Sequence, residues 1–183
     1  MSDTAAPSGL PGLVGQDHAG ITVPDLDAAL AFFVDVLGCR HGYTFGPIED
    51  GEGTFMTAAL GVHPRARIKR CALIRIGHGS NIELFEYEAP DQRQIEAKNS
   101  DIGAFHVALY VHDIEAAKAY LDTQGIETRL GPIPITAGPN AGQSILYFQS
   151  PWGLQLELIS YPRGMAYEAD CAVKLWDPRS PAL

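Results

Sequence analysis

The sequence predicts an α+β fold built from two tandem β-α-β-β-β modules. Three observations carry that prediction: a strand-then-helix pattern that occurs twice, a second pair of matching segments downstream of each copy, and enough apolar residues for a core. The chain has 183 residues, with 46% hydrophobic and 19% charged, an ordinary globular balance that excludes wholesale disorder.

The first copy opens with a short strand over Ala19 to Val23. Pro24 and Asp25 end it and supply the cap of a helix from Leu26 to Leu37, with Gly38 as its stop. Ala29, Phe32, Phe33 and Val36 fall at helical spacing and form the buried stripe of that helix. The pattern returns later: Phe105 to Val111 is strand-like, Asp113 caps a helix from Ile114 to Thr123, and Gly125 ends it. HAGITVPDLDAALAFF from His18 lies over HVALYVHDIEAAKAYL from His106, with apolar positions answering apolar ones. Downstream, IGHGSNIELFEY from Ile76 lies over SPWGLQLELISY from Ser150, so that Gly79, Glu83, Leu84 and Tyr87 match Gly153, Glu157, Leu158 and Tyr161.

Between helix and last strand, further strand-like runs cover Gly53 to Ala59 and Arg67 to Ile76 in the first module, and Thr128 to Leu130 and Ser144 to Gln149 in the second. The interval from His to Glu is longer in the first module, and the surplus falls in the loop Gly46 to Pro64. The organisation is a flexible leader (1–14), a first module (15–87), a polar linker (88–104), a second module (105–161) and a tail (162–183).

A formal net charge of −9 argues against nucleic acid and anionic membrane surfaces as partners. No apolar run approaches the roughly 18 to 20 residues that cross a bilayer, and the opening residues lack a signal-like core, so a cytoplasmic protein is expected. Cys39, Cys71 and Cys171 are scattered without CxxC spacing and fit reduced thiols.

Four residues point to chemistry. His18 and His106 begin equivalent strands, and Glu83 and Glu157 each interrupt an apolar strand at equivalent positions. A carboxylate facing a core needs a cation, a hydrogen-bond network or water. Two imidazoles and two carboxylates balance a divalent ion and suit Zn, Ni, Co, Mn or Fe(II). The bland alternatives are a structural histidine at a strand start and a glutamate on a solvated sheet face. Glu86, three on from Glu83, is expected on the opposite side of its strand, facing solvent.

These residues and segments resemble the vicinal oxygen chelate superfamily, which includes glyoxalase I, methylmalonyl-CoA epimerase, extradiol dioxygenases and fosfomycin-resistance proteins. The segments DHAGITVPDLDAALAFFVDVLG, NIELFEY, FHVALYVHDIEAA and SPWGLQLELISYP carry the likeness, which covers about residues 15 to 161. It implies an eight-stranded metal-binding cup holding one divalent ion on His18, Glu83, His106 and Glu157. With four protein ligands the chain looks more like the glyoxalase I and epimerase branch, in which the metal is a Lewis acid during proton abstraction next to a carbonyl. Glu157 or Glu83 is then the catalytic base of an isomerase, epimerase or lyase. An Fe(II)-dependent ring-cleaving dioxygenase and a non-catalytic small-molecule binding protein are the alternative readings. The likeness together with the apolar tail implies a homodimer.

Tyr110, Tyr147 and Trp152 are candidate substrate-binding residues lining the cup, with strand packing as the alternative. Arg65, Arg67, Lys69, Arg70 and Arg75 gather five of the thirteen basic residues in one stretch. Arg67 and Lys69 are candidates for capturing an anionic small-molecule substrate. The alternative is a charged strand edge that resists aggregation.

Overall fold

The computed structural model describes residues 10–180, so most of the expected leader and the last three tail residues lie outside the described residues. Strand β1 (His18–Thr22) leads into helix α1 (Leu26–Leu30), which continues as a wider π-helical turn over Ala31–Val36. The Asp25 carboxylate accepts the Ala28 N–H at 2.7 Å and satisfies one of the free donors of the first turn. The widened turn shows in the Leu37 N–H donating to the Phe32 carbonyl at 3.0 Å, and both Phe32 and Phe33 are buried. Gly38 then takes a left-handed conformation (φ 73°) that favours glycine and ends the helix.

The remaining strands of the first module are β2 (Arg40–Phe45), β3 (Arg67–Arg75) and β4 (Asn81–Glu88). They form one sheet in the order β1-β4-β3-β2, with β1 and β4 parallel and the other pairs antiparallel. The second module repeats the plan. Strand β5 (His106–Tyr110) is followed by helix α3 (Ile114–Thr123), capped by Asp113 through the Ala116 N–H at 3.0 Å, and then by β6 (Ile133–Pro134), β7 (Ser144–Gln149) and β8 (Gln155–Ser160). This sheet runs β5-β8-β7-β6, with β5 parallel to β8.

Two elements differ from the sequence expectation. Gly53 to Ala59 forms a short helix, α2 (Thr54–Ala58), rather than a strand. Asp50 captures the N–H groups of Glu52 and Phe55, at 3.1 and 2.7 Å, and turns the chain before any strand can extend. The strand that completes the first sheet is instead Arg40–Phe45, paired along β3. In the second module Thr128 to Leu130 makes only a single bridge, Thr128 to Phe148, and the edge strand falls at Ile133–Pro134.

Each sheet carries its helix on one face, and the two modules share one apolar core. Contact between modules runs through the helix side. Trp152, in the turn between β7 and β8, packs edge-on against Phe32 at 5.5 Å and lies 6.0 Å from Phe33. The Tyr120 hydroxyl on α3 donates to the Val36 carbonyl at 2.9 Å. Burying a side chain such as Phe33, Leu84 or Leu156 stabilises by about 1.5–3 kcal/mol each. The opposite faces of the sheets remain open: along β4, Ile82, Leu84 and Glu86 are buried while Glu83, Phe85 and Tyr87 are half-buried. The eight strands therefore make two separate four-stranded half-cups rather than one closed barrel.

Candidate functional site

The parallel register of β1 on β4 sets Gly20 opposite Glu83 and His18 opposite Asn81. Because side chains alternate along a strand, His18 and Glu83 emerge on the open face together. His18 Nε2 lies 3.1 Å from Glu83 Oε2, and its other ring nitrogen, Nδ1, is 2.7 Å from Asp17 Oδ2. In the second module β5 on β8 repeats the geometry: His106 Nε2 lies 3.1 Å from Glu157 Oε2. The carboxylates are the more sheltered partners, with side chains 16% and 8% exposed against 39% and 37% for the histidines.

The hydrogen bond with Asp17 is the main influence that raises the His18 pKa above its ordinary value; burial opposes it and the Glu83 charge adds to it. With Nδ1–H given to Asp17, a neutral imidazole presents its Nε2 lone pair to a carboxylate oxygen. Two acceptors then face each other, an arrangement relieved by a proton or by a cation. The donor set of one imidazole nitrogen and one carboxylate oxygen in each module fits a divalent ion in chemistry. The four residues do not converge within one chain: among the described residues, no group of three or more His, Cys, Asp or Glu side chains is placed to hold a metal.

Two neighbours of these pairs escaped the sequence reading. The Cys71 thiol donates to Glu83 Oε1 at 3.3 Å, and burial first, then the adjacent carboxylate, pushes the thiol up to about 12. Its signal lies in the strand alternation of RCALIR, which sets Cys71 on the same face as Leu73, directly opposite Glu83. Asp17, the residue before His18, is the other; an acid adjoining a ligand-type histidine is a recognisable orienting partner.

The remaining candidates sort by position. Tyr147 stands directly across from Glu157, and its ring meets His106 edge-on at 5.4 Å. Burial first, and the charge of and hydrogen bond to Glu157 next, raise the Tyr147 hydroxyl pKa. Tyr110 shares the open face of the second sheet but packs against Tyr161 at 5.0 Å, four residues along the strand from His106. Trp152 joins the modules' core, with its indole N–H buried and unpartnered among the described residues, and borders a groove of about 630 Å³ together with Thr22, Tyr87, Arg93 and Gln155. Arg67 pairs with Glu88 at 2.7 Å, and Lys69 pairs with Glu86. Glu86 does lie on the far side of its strand from Glu83, but it is buried rather than solvent-facing. Lys69 and Arg70 neutralise it there, and Arg70 reaches on to Asp27 of α1 at 2.8 Å.

Comparison with known proteins gives consistent relatives. A 2-epi-5-epi-valiolone epimerase from an Actinomyces species is 45% identical over 171 residues, 93% of this chain and 92% of that protein. The uncharacterized protein YaeR of Escherichia coli (strain K12) is 26% identical over 147 residues, 80% of this chain and 96% of its own length. A glyoxalase family protein from Bacillus cereus shares the fold, with a TM-score of 0.64 at 23% identity, covering 85% of this chain and 98% of its own. A glyoxalase/dioxygenase from Nostoc punctiforme gives a TM-score of 0.54 at 20% identity, over 87% of this chain and 100% of its own. Residues 17–147 match the family profile itself, and with paired modules, equivalent His and Glu pairs and this relative, the chain belongs to the Glyoxalase/Bleomycin resistance protein/Dioxygenase superfamily.

Proposed function

We propose that the protein is a metal-dependent epimerase that moves a proton at the carbon next to the carbonyl of a polyhydroxylated cyclic ketone. Each catalytic centre is assembled from two copies of the chain. The observation that carries this reading is the repeated pair: a histidine Nε2 3.1 Å from a glutamate oxygen, at the same position of both modules. The substrate class is supported by the 45% identical relative, whose name specifies a ketone with two inverted centres.

His18 and Glu83 of one copy, with His106 and Glu157 of a second, would hold the ion. When bound, it supplies Lewis-acid stabilisation of charge on the substrate oxygen. Zn, Ni, Co, Mn and Fe(II) all accept this donor set. The chain's own residues handle the proton. One carboxylate, Glu83 or Glu157, takes it from the α-carbon while the C–H electron pair moves toward the carbonyl oxygen. A proton relayed from solvent by the other carboxyl group is delivered to the opposite face and inverts the centre. Cys71 orients Glu83 by donating to it, and Tyr147 flanks Glu157 from the facing strand position.

The two-copy centre is supported by the separation of the two His–Glu pairs within one chain. Helix-side contacts join the modules, while both pairs lie on the open faces, and β1 and β5 each leave one strand edge unpaired. Apposing the first sheet of one copy to the second sheet of another covers both open faces and gathers four donors. The test is exchange in D₂O. Protein reconstituted with each candidate metal should place solvent deuterium next to the carbonyl of 2-epi-5-epi-valiolone and generate its epimer, followed by NMR. No exchange with any of the metals would overturn the reading.

A further inference from the structure

The segment after β8 lies beyond the residues matched by the superfamily profile, which end at 147. The Escherichia coli relative, aligned over nearly its whole length, spans only 80% of this chain, whereas the Actinomyces epimerase reaches 93% and so takes in more than the two modules and their linker. The segment is tightly seated. The Ala166 and Tyr167 N–H groups donate to the Ala141 and Pro139 carbonyls at 2.9 and 2.8 Å. Gly142 and Gly164 approach so closely that a Cβ on Gly142 would stand 2.5 Å from the Gly164 oxygen.

Arg179 is the clamp. Its guanidinium pairs with Asp177 at 2.7 Å and Glu168 at 2.9 Å, donates to the Tyr161 carbonyl at 3.3 Å and lies 5.1 Å from the centre of the Tyr161 ring. Three residues earlier, Trp176 crosses to the first module. A Cβ on Gly79, in the turn before β4, would touch Trp176 Cη2 at 3.5 Å. Two residues on, Asn81 stands in register with His18. Trp176 is nonetheless 62% exposed. A large aromatic held mainly in water by a clamped segment, at the end of the sheet that carries His18, is positioned for a ligand rather than for the core.

We propose that Trp176 is a substrate-contacting residue. The strap, fixed by Arg179, holds the indole where the C–H face of a polyhydroxylated ring packs against it. The ligand class rests on the epimerase reading above, and Trp176 adds specificity for a ring-shaped substrate.

The experiment uses the full-length protein and 2-epi-5-epi-valiolone as the probe. Trp176→Ala should raise KM about 10-fold while kcat stays within about 2-fold, and Trp176→Phe should restore most of the loss. Substrate should quench wild-type tryptophan emission but leave the Trp176→Phe variant unchanged. Arg179→Ala should release the strap and increase acrylamide quenching of Trp176, a readout independent of turnover. Wild-type turnover with an unaltered KM in Trp176→Ala would overturn the contact and leave the epimerase standing. Absence of turnover in the wild type would overturn the epimerase reading instead. Unaltered acrylamide accessibility in Arg179→Ala would overturn the strap in either case.

Discussion

Cys71 donates its thiol hydrogen to Glu83 Oε1 at 3.3 Å while the other oxygen of the same carboxylate faces His18. Burial, reinforced by this bond, keeps the thiol protonated. Burial first and the carboxylate next push Cys71 up to about 12, and burial pushes Cys39 up to about 11. Thiolate is the reactive form, so both should resist alkylation at pH 8. Cys171 is exposed. A thiol-reactive chromophore should label one cysteine quickly in the native protein and all three in denaturant; rapid native labelling of two or more would contradict the buried environments.

The half-sites make a strong genetic prediction. Pairing a His18→Ala, Glu83→Gln chain with a His106→Ala, Glu157→Gln chain gives mixed dimers in which one centre has lost all four donors and the other has kept all four. Each double variant alone should be inactive. A co-expressed mixture should recover about a quarter of wild-type activity, because half the dimers are mixed and each has one intact centre of two. Recovery of none would mean that each chain closes its own site.

Glu86 sets an acid limit on stability. Burial alone would raise its pKa, but Lys69 and Arg70 outweigh that and hold the carboxyl below the ordinary glutamate value. A depressed folded-state pKa contributes stability that is fully present above the unfolded pKa and is lost as pH falls through the lower folded value. Glu86→Gln should therefore cost about 1–3 kcal/mol at pH 7 in urea unfolding, with a smaller cost below about pH 4, where the wild type loses the same interaction. An equal cost at both pH values would refute the ion-pair account.

Phe33 is fully buried where the first helix meets Trp152 of the second module. Phe33→Ala should cost about 3–5 kcal/mol in chemical unfolding by leaving a cavity between the modules. A loss under about 1 kcal/mol would show that the junction repacks freely.

The duplicated plan was legible because it is written in spacing. Asp25 and Asp113 cap equivalent helices, and His18, Glu83, His106 and Glu157 repeat at equivalent strand positions. What could not be read depends on which groups meet. TFMTA is too short to separate helix from strand, and the Asp50 side chain decides it. Alternation correctly set Glu86 across its strand from Glu83, but its burial depends on Lys69 and Arg70 arriving from β3. The set of each module's sheet against the other depends on contacts far apart in sequence, such as Tyr120 with Val36.

The modules meet through contacts such as Tyr120 with Val36 and Trp152 with Phe32, the His–Glu pairs lie on the other faces of their sheets, and no molecule owns a complete centre on the shared-centre reading. Inheritance of a defect then follows an unusual rule. A copy damaged in only one half still pairs and occupies a sound subunit, spoiling one of its centres while sparing the other. Mixed with sound copies, such alleles would leave half the activity, no less than simple loss of a copy, yet two different ones could rescue each other.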